Sequence, residues 1–338
     1  MQPEVTDWFA RRTTAAADWP IGDLYRAKLD SGLSVAVVLP ALDEQSTIGA
    51  IVAAVRDRLT VEVALVDEIV VVDSGSTDGT AATATAAGGR VVSAAGVLPE
   101  FGPAVGKGDA MWRALAATDA DIVAFVDADL EHFRPEVVSG LLGPLLCDRA
   151  VHLVKGAYDR PLRAGQAVLP AGGGRVTELV ARPLLNLHWP QLAGVVQPLA
   201  GEWAARRDLL QTLWFPAGYG VEIAVLIDTL RTVGLDGIAQ VDLGARHHRH
   251  QDDAALGRMA AQVWHAMLAR MPGVDVIGPD VLGGDLVGPT APLTDFRRQG
   301  GRLRPRTQDV ELGERPPLTA VLTERRRPTP CGAAQPRS

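Results

Sequence analysis

Apolar residues in the first half of the chain fall into short unbroken runs separated by stretches of helical periodicity. Val35-Ala-Val-Val-Leu39, Glu68-Ile-Val-Val-Val72, Arg90-Val-Val-Ser93 and Asp121-Ile-Val-Ala-Phe-Val126 show no polar alternation. That is the pattern of strands covered on both faces. Between them, Ser46 to Val55, the segment opening at Thr77-Asp-Gly-Thr-Ala, and residues 107–117 read as helices. Strands alternating with helices predict right-handed crossovers and a mainly parallel α/β sheet. The strand ends then share one edge, where such sheets bind ligands.

The second half is less regular. Val151 to Tyr158 reads as a strand, Gly172 to Gly174 lead into a helix from about Arg175 to Leu187, and Val221 to Val233 form another. A strand at Ile238 to Leu243 and a helix over 254–271 follow. Trp8, Phe9, Trp19 and Tyr25 are the expected anchors of the first 33 residues. From about residue 273, Gly, Pro, Arg and Thr dominate with few apolar residues, which predicts low order. The division expected is an N-terminal extension 1–33, a nucleotide-binding type of subdomain 34–150, an elaborated subdomain 151–272 and a tail 273–338.

A net charge of −7, spread along the chain, provides no basic face for nucleic acid. Small anionic substrates need only a few local cations and stay possible. Cys147 and Cys331 lie far apart with no metal-ligand spacing, so a reducing cytoplasm is expected. The N-terminal stretch has no apolar signal core and no run reaches a membrane span, so no membrane partner is expected.

Candidate chemistry gathers at the strand ends. In Phe125-Val-Asp-Ala-Asp-Leu130 two carboxylates at i and i+2 project the same way from a buried strand. Their repulsion calls for compensation, which a divalent cation bridging to a diphosphate supplies, and Mg²⁺ or Mn²⁺ prefers such hard oxygens. Helix-capping aspartates ahead of Pro135 are the plainer alternative. Leu39-Pro-Ala-Leu-Asp-Glu44 suits a uracil edge and ribose hydroxyls, or an ordinary helix cap. In Val72-Asp-Ser-Gly-Ser-Thr-Asp-Gly-Thr80 small residues permit close approach to a nucleoside, with Asp78 capping the next helix. Gly106-Lys-Gly-Asp-Ala110 opens a helix with Lys107 placed for a pyrophosphate, or simply solvated. Gly172 to Gly174 expose backbone N–H groups, and Arg175 adds a bidentate donor for a phosphate or carboxylate. Such a turn often serves only as a turn. The imidazoles of Arg246-His-His-Arg-His250 can complete a metal site or form a surface loop.

These features, in this order at consecutive strand ends, resemble the GT-A glycosyltransferases. Lys155-Gly-Ala-Tyr-Asp-Arg160, Gly172-Gly-Gly-Arg-Val-Thr-Glu178, Gly201-Glu-Trp203, Gly218-Tyr-Gly-Val-Glu-Ile223 and Asp242-Leu-Gly-Ala-Arg-His-His248 are similar to the glucosyl-3-phosphoglycerate synthases. The resemblance runs from about residue 34 to 270. It implies a GT-A-type fold with a Rossmann-like sheet, nucleotide-sugar binding by 34–150 and acceptor binding by 151–272. It further implies retaining transfer of glucose from a nucleotide-glucose, UDP-glucose expected, to the 2-hydroxyl of 3-phosphoglycerate, in a homodimer. Related mannosyl synthases use a mannose donor on the same scaffold.

Carried over by position, the resemblance gives Asp129 and His248 to the metal, Mg²⁺ or Mn²⁺. It places Pro40, Ala41, Leu42, Asp43, Glu44, Ser74, Asp127, Ala128, Asp129 and Tyr219 around the donor, with Lys107 near its phosphates and Glu222 beside the reacting sugar. Gly174, Arg175, Val176, Thr177 and His250 surround the acceptor. Lys107, Asp129 and Glu222 are the catalytic candidates. The chain departs from the family pattern at Asp43 and His250, where Asn is expected, and His250 thereby bears on acceptor identity. Beyond the same chemistry with a mannose donor or another hydroxy-acid acceptor, two rivals are a nucleotidyltransferase and a non-catalytic sugar-nucleotide module. The first would carry a basic glycine-rich loop after the first strand, unlike Pro40 to Glu44, and the metal pair with His248 argues against the second.

Overall fold

The computed structural model describes residues 1–159, 162–164, 167–169, 174–245, 253–271 and 290–326. Its centre is an eight-stranded sheet built from β1 (Thr13–Ala15), β2 (Val35–Ala41), β3 (Glu68–Asp73), β4 (Arg90–Ser93), β5 (Ile122–Phe125), β6 (Leu153–Asp159), β7 (Trp203–Arg206) and β8 (Ile238–Ala245). The order is β1-β8-β6-β7-β5-β2-β3-β4. Only β7 runs against its neighbours, pairing antiparallel with both β5 and β6. The other pairings in this sheet are parallel.

The apolar runs become strands because helices cover both faces. Val35 to Leu39 are all 0% exposed, and successive side chains feed two separate cores. Val38, Val70, Val72, Val123 and Phe125 join one, packed under the helices Gly106–Ala117 and Val221–Val233. Val35, Val37, Leu39, Val71, Ile122 and Ala124 join the other, under Ile48–Val55 and Glu136–Cys147. The period of two along each strand thus serves two apolar faces rather than one.

Strand β7 is not legible as a strand in the sequence. Its four residues carry no alternation, and antiparallel pairing defines it, with β5 from Ile122↔Arg206 to Phe125↔Trp203 and with β6 from Leu153↔Ala205 to Lys155↔Trp203. The helix expected from Arg175 begins as a wide turn, Thr177–Ala181, before regular turns over Arg182–His188.

The N-terminal 33 residues are part of the sheet, since Thr13–Ala15 pairs parallel with β8. Trp8 is buried and its indole N–H donates to the Ile238 carbonyl at 2.8 Å. Trp19 packs against the second core, whereas Phe9, also expected as an anchor, is exposed.

The expected low-order tail needs correction for residues 290–326. They form a hairpin, Thr290–Gln299 with Arg302–Glu311, then a short strand Glu314–Arg315 pairing with Phe215–Pro216, then the helix Leu318–Arg326. Apolar residues are few here but sit where they count: Leu318 and Val321 enter the first core. Arg315 supplies the rest. Its guanidinium grips the fully buried Asp109 with bonds of 2.8 and 2.9 Å, while Arg113 holds the same carboxylate at 3.0 Å. Composition signals disorder poorly when a few side chains are matched to specific partners.

Replacing Arg315 by Ala leaves a buried carboxylate short of two charge-assisted hydrogen bonds. The expected cost is about 1–3 kcal/mol in chemical denaturation. An unchanged unfolding midpoint would contradict this role for the segment.

Candidate active site

One strand end and two helix starts converge on one cluster. Asp127 follows β5, Lys107 is the second residue of the helix Gly106–Ala117, and Glu222 lies in the first turn of Val221–Val233. The Lys107 ammonium donates to Asp127 Oδ1 at 2.6 Å and reaches Glu222 Oε1 at 2.7 Å. Glu222 is only 4% exposed. Burial alone would lower the Lys107 pKa, but Asp127 and Glu222 outweigh it and the net shift is upward. Lys107 therefore stays charged and sits between two carboxylates that would otherwise repel, offsetting one of their two charges.

The glycines around Lys107 have a steric purpose. Gly106 adopts φ +77°, and a Cβ there would lie 2.7 Å from the Ala217 carbonyl; one on Gly108 would strike the Pro216 carbonyl. The helix start therefore presses against 216–218, and Asp109 N–H donates to Ala217 O at 3.0 Å. Because that segment leads into the Glu222 helix, the close approach is what lets Lys107 reach both acids.

The two loops expected at the nucleoside are laced together. Ser74 N–H donates to Ala41 O at 3.0 Å, Asp43 N–H to Ser76 Oγ at 3.0 Å, and Thr77 N–H to Asp43 Oδ1 at 2.7 Å. Glu44 N–H donates to Thr80 Oγ1 at 2.8 Å and Gln45 N–H to Asp78 Oδ2 at 3.1 Å. The Thr80 hydroxyl in turn lowers the pKa of Asp78, which caps its own helix through Thr80 N–H at 2.9 Å. Asp43 sits at φ +57°, a conformation that Asp and Asn both tolerate, and it uses only an acceptor oxygen that both possess. The departure from Asn is therefore accommodated. Leu42 is exposed, Pro40 and Ser74 are half-buried, and Ala41 is buried.

Thr47 Oγ1 donates to Ala128 O at 2.6 Å, tying the first loop to the Asp-Ala-Asp turn. Asp129 is half-buried and offers the hard oxygen that Mg²⁺ or Mn²⁺ takes. The residues therefore fit a divalent cation anchored at Asp129. Among the described residues no group of three His, Cys, Asp or Glu side chains gathers into a metal centre. His248 and His250 lie outside the described residues. Tyr219 is exposed just ahead of the helix that carries Glu222, its N–H donating to Gln262 Oε1 at 3.0 Å.

The acceptor candidates stand on a separate element. Gly174 has φ +76° and accepts from Glu178 N–H at 3.0 Å, ahead of the wide turn. Arg175 is exposed, whereas Val176 and Thr177 are buried.

Two charged residues in this neighbourhood were quoted from the sequence without a role. Lys155, in the middle of β6, is 1% exposed, and Glu202, just before β7, is 2% exposed. A lysine inside a run as apolar as Val151 to Tyr158 was the signal available. Burial pushes the Lys155 pKa down to about 7, against the pull of Glu222.

Between about 7 and the ordinary 10.5, the unfolded chain holds a proton on Lys155 that the folded chain lacks. Stability therefore rises with pH across that window, by up to about 1.4 kcal/mol per pH unit from this residue. Lys107, shifted the other way, keeps its full contribution below 10.5 and loses it only above. Denaturation of metal-free protein from pH 7 to 9 should show a rise that Lys155→Met flattens; parallel profiles for the two proteins would contradict the burial argument.

The glycosyl transferase family 2 model matches residues 36–162, the span that carries the nucleoside loops and the Asp-Ala-Asp turn. The glucosyl-3-phosphoglycerate synthase of Mycolicibacterium smegmatis is 48% identical over 314 residues, covering 93% of this chain and 98% of that protein. The crystal structure of the Mycobacterium tuberculosis glucosyl-3-phosphoglycerate synthase with Mn²⁺, UDP-glucose and phosphoglyceric acid matches at TM-score 0.75 and 44% identity, over 90% of this chain and 95% of that one. The same enzyme has also been crystallised with Mg²⁺ and UDP. Mannosyl-3-phosphoglycerate synthase from Rubrobacter xylanophilus matches at TM-score 0.81 and 39% identity, over 94% and 98% of the two chains. With that coverage and identity along both chains, this protein belongs to the glucosyl-3-phosphoglycerate synthase family of glycosyltransferases.

Proposed function

We propose that this chain is a metal-dependent retaining glycosyltransferase that moves glucose from UDP-glucose to the 2-hydroxyl of 3-phosphoglycerate. Near-full-length identity to the glucosyl synthases carries the reading. The cluster joining Lys107, Asp127 and Glu222 at the end of β5 supports it. Mg²⁺ or Mn²⁺, held by Asp129 and His248, supplies positive charge for the departing diphosphate.

The chain's own groups divide the remaining work. The loops 40–44 and 73–80 cradle the nucleoside, and Lys107 adds charge near the donor phosphates. Gly174, Arg175, Val176 and Thr177, with His250, bind the phosphoglycerate. Glu222 orients the sugar rather than attacking it: its carboxylate is buried and already paired with an ammonium. The acceptor hydroxyl attacks on the face from which the diphosphate leaves, through an oxocarbenium-like state.

The close backbone match to the mannosyl synthase supports one second reading, a mannose donor on the same site. We also extend the family reading to a homodimer in the cytoplasm. Among the described residues no helix is long and apolar enough to cross a membrane.

Purified protein with Mg²⁺ or Mn²⁺, given UDP-glucose, GDP-glucose or GDP-mannose with 3-phosphoglycerate or glycerate, should release nucleoside diphosphate with a glucose donor and 3-phosphoglycerate. Asp129→Ala should lower kcat/KM by more than about 100-fold. Release that ignores 3-phosphoglycerate but responds to another acceptor would overturn the acceptor assignment, and His250 would be the first residue to exchange for Asn.

A further inference from the structure

Lys155 is expensive where it stands. It lies in a strand whose residues from Leu153 to Tyr158 are all buried, and an ammonium there loses its water. Packing alone would be served better by an apolar side chain, as its neighbours Leu153, Val154 and Ala157 show. Its contacts say what it does instead.

Lys155 Nζ donates to the carbonyl of Ala200 at 2.8 Å and lies 5.8 Å from the centre of the Trp203 ring. The next residue of the same strand, Gly156, donates its N–H to the carbonyl of Glu202 at 2.9 Å. Adjacent positions of β6 thus fix both ends of the three-residue turn Ala200-Gly201-Glu202. The middle of that turn lies against the reaction centre. A Cβ added to Gly201 would collide with both carboxylate oxygens of Asp127. The turn forms a shelf against Asp127, whose Oδ1 also accepts from Lys107.

We propose that Lys155 is a positioning residue for sugar transfer: by holding the Ala200–Glu202 shelf in place, it sets the Asp127 carboxylate, and through it Lys107, at the donor site. The inference rests on the reading of Asp127 as part of that site. Lys155 touches neither substrate in this account. The charged groups facing it are Glu222, Lys107, Glu202 and Asp127, so it also belongs to the electrostatic balance of the cluster. Lys107 and Lys155 approach the acids from separate elements, one from a helix start and one from the sheet. A lysine suits the position because its amine, protonated or not, reaches a backbone carbonyl from the strand interior on a four-carbon stem.

The experiment compares the full chain with Lys155→Met, Lys155→Arg, Gly201→Ala and Asp127→Asn, using Mn²⁺, UDP-glucose and 3-phosphoglycerate. Lys155→Met and Gly201→Ala should each lower kcat by about tenfold or more, because small displacements of a positioned group are costly. The KM for 3-phosphoglycerate should change by less than about twofold, since residues 174–177 stand on another element. Lys155→Arg should retain more of kcat than Lys155→Met. On an Asp127→Asn background, neither Lys155→Met nor Gly201→Ala should reduce kcat further, because both act through the carboxylate already removed.

A folded Lys155→Met enzyme with wild-type kcat would overturn the proposal. So would losses that multiply with that of Asp127→Asn. If Lys155→Met does not fold, Gly201→Ala probes the shelf from its other side, and a wild-type kcat there is equally fatal. Full activity in Asp127→Asn alone would sink the site reading itself, whereas an impaired Asp127→Asn beside normal shelf variants sinks only this inference.

Discussion

The sharing of the Lys107 ammonium between Asp127 and Glu222 is the interaction on which the site depends. Two carboxylates arriving from different elements cannot approach each other in a partly dry crevice without a cation between them. Lys107 brings the end of β5, the start of its own helix and the start of the Glu222 helix to a single point. It does so with the chain's own side chains, at 2.6 Å to Asp127 and 2.7 Å to Glu222. Asp129 is left as the carboxylate that the family resemblance gives to the metal.

Much of the surrounding fold serves that point. Gly106 and Gly108 remove the side chains that would keep the helix from segment 216–218. Arg113 then ties the same helix to the loop before it, its guanidinium donating to the carbonyls of Ala94, Val97, Leu98 and Gly102. Arg315 reaches from the C-terminal segment to Asp109, two residues beyond Lys107, and to the Phe101 carbonyl. A region that composition reads as poorly ordered thus buttresses the Lys107 helix.

The strand ends were readable because a buried parallel sheet writes itself as unbroken apolar runs, and β2, β3, β4, β5, β6 and β8 stand where those runs predict. Strand β7 was not, since four residues paired in the middle of a sheet leave no periodic trace. Lys107 and Glu222 were found through motif resemblance, but their ion pairing across 115 residues of chain could only come from the fold. Lys155 and Gly201 were visible as letters in family-like motifs, without a function. Their meaning is steric and directional, in a carbonyl held from one side and a missing Cβ on the other. Residues 290–326 escaped because order there comes from a handful of matched contacts rather than from apolar density.

The most direct test of the central claim is a double-mutant cycle on the stability of the metal-free protein, using Lys107→Met, Glu222→Gln and the double variant. Lys107→Met alone should destabilise, because it strands two carboxylates. In that background Glu222→Gln should recover part of the loss, giving a coupling of about 1 kcal/mol or more. Single effects that add to within about 0.5 kcal/mol would contradict a shared ammonium at the heart of this site.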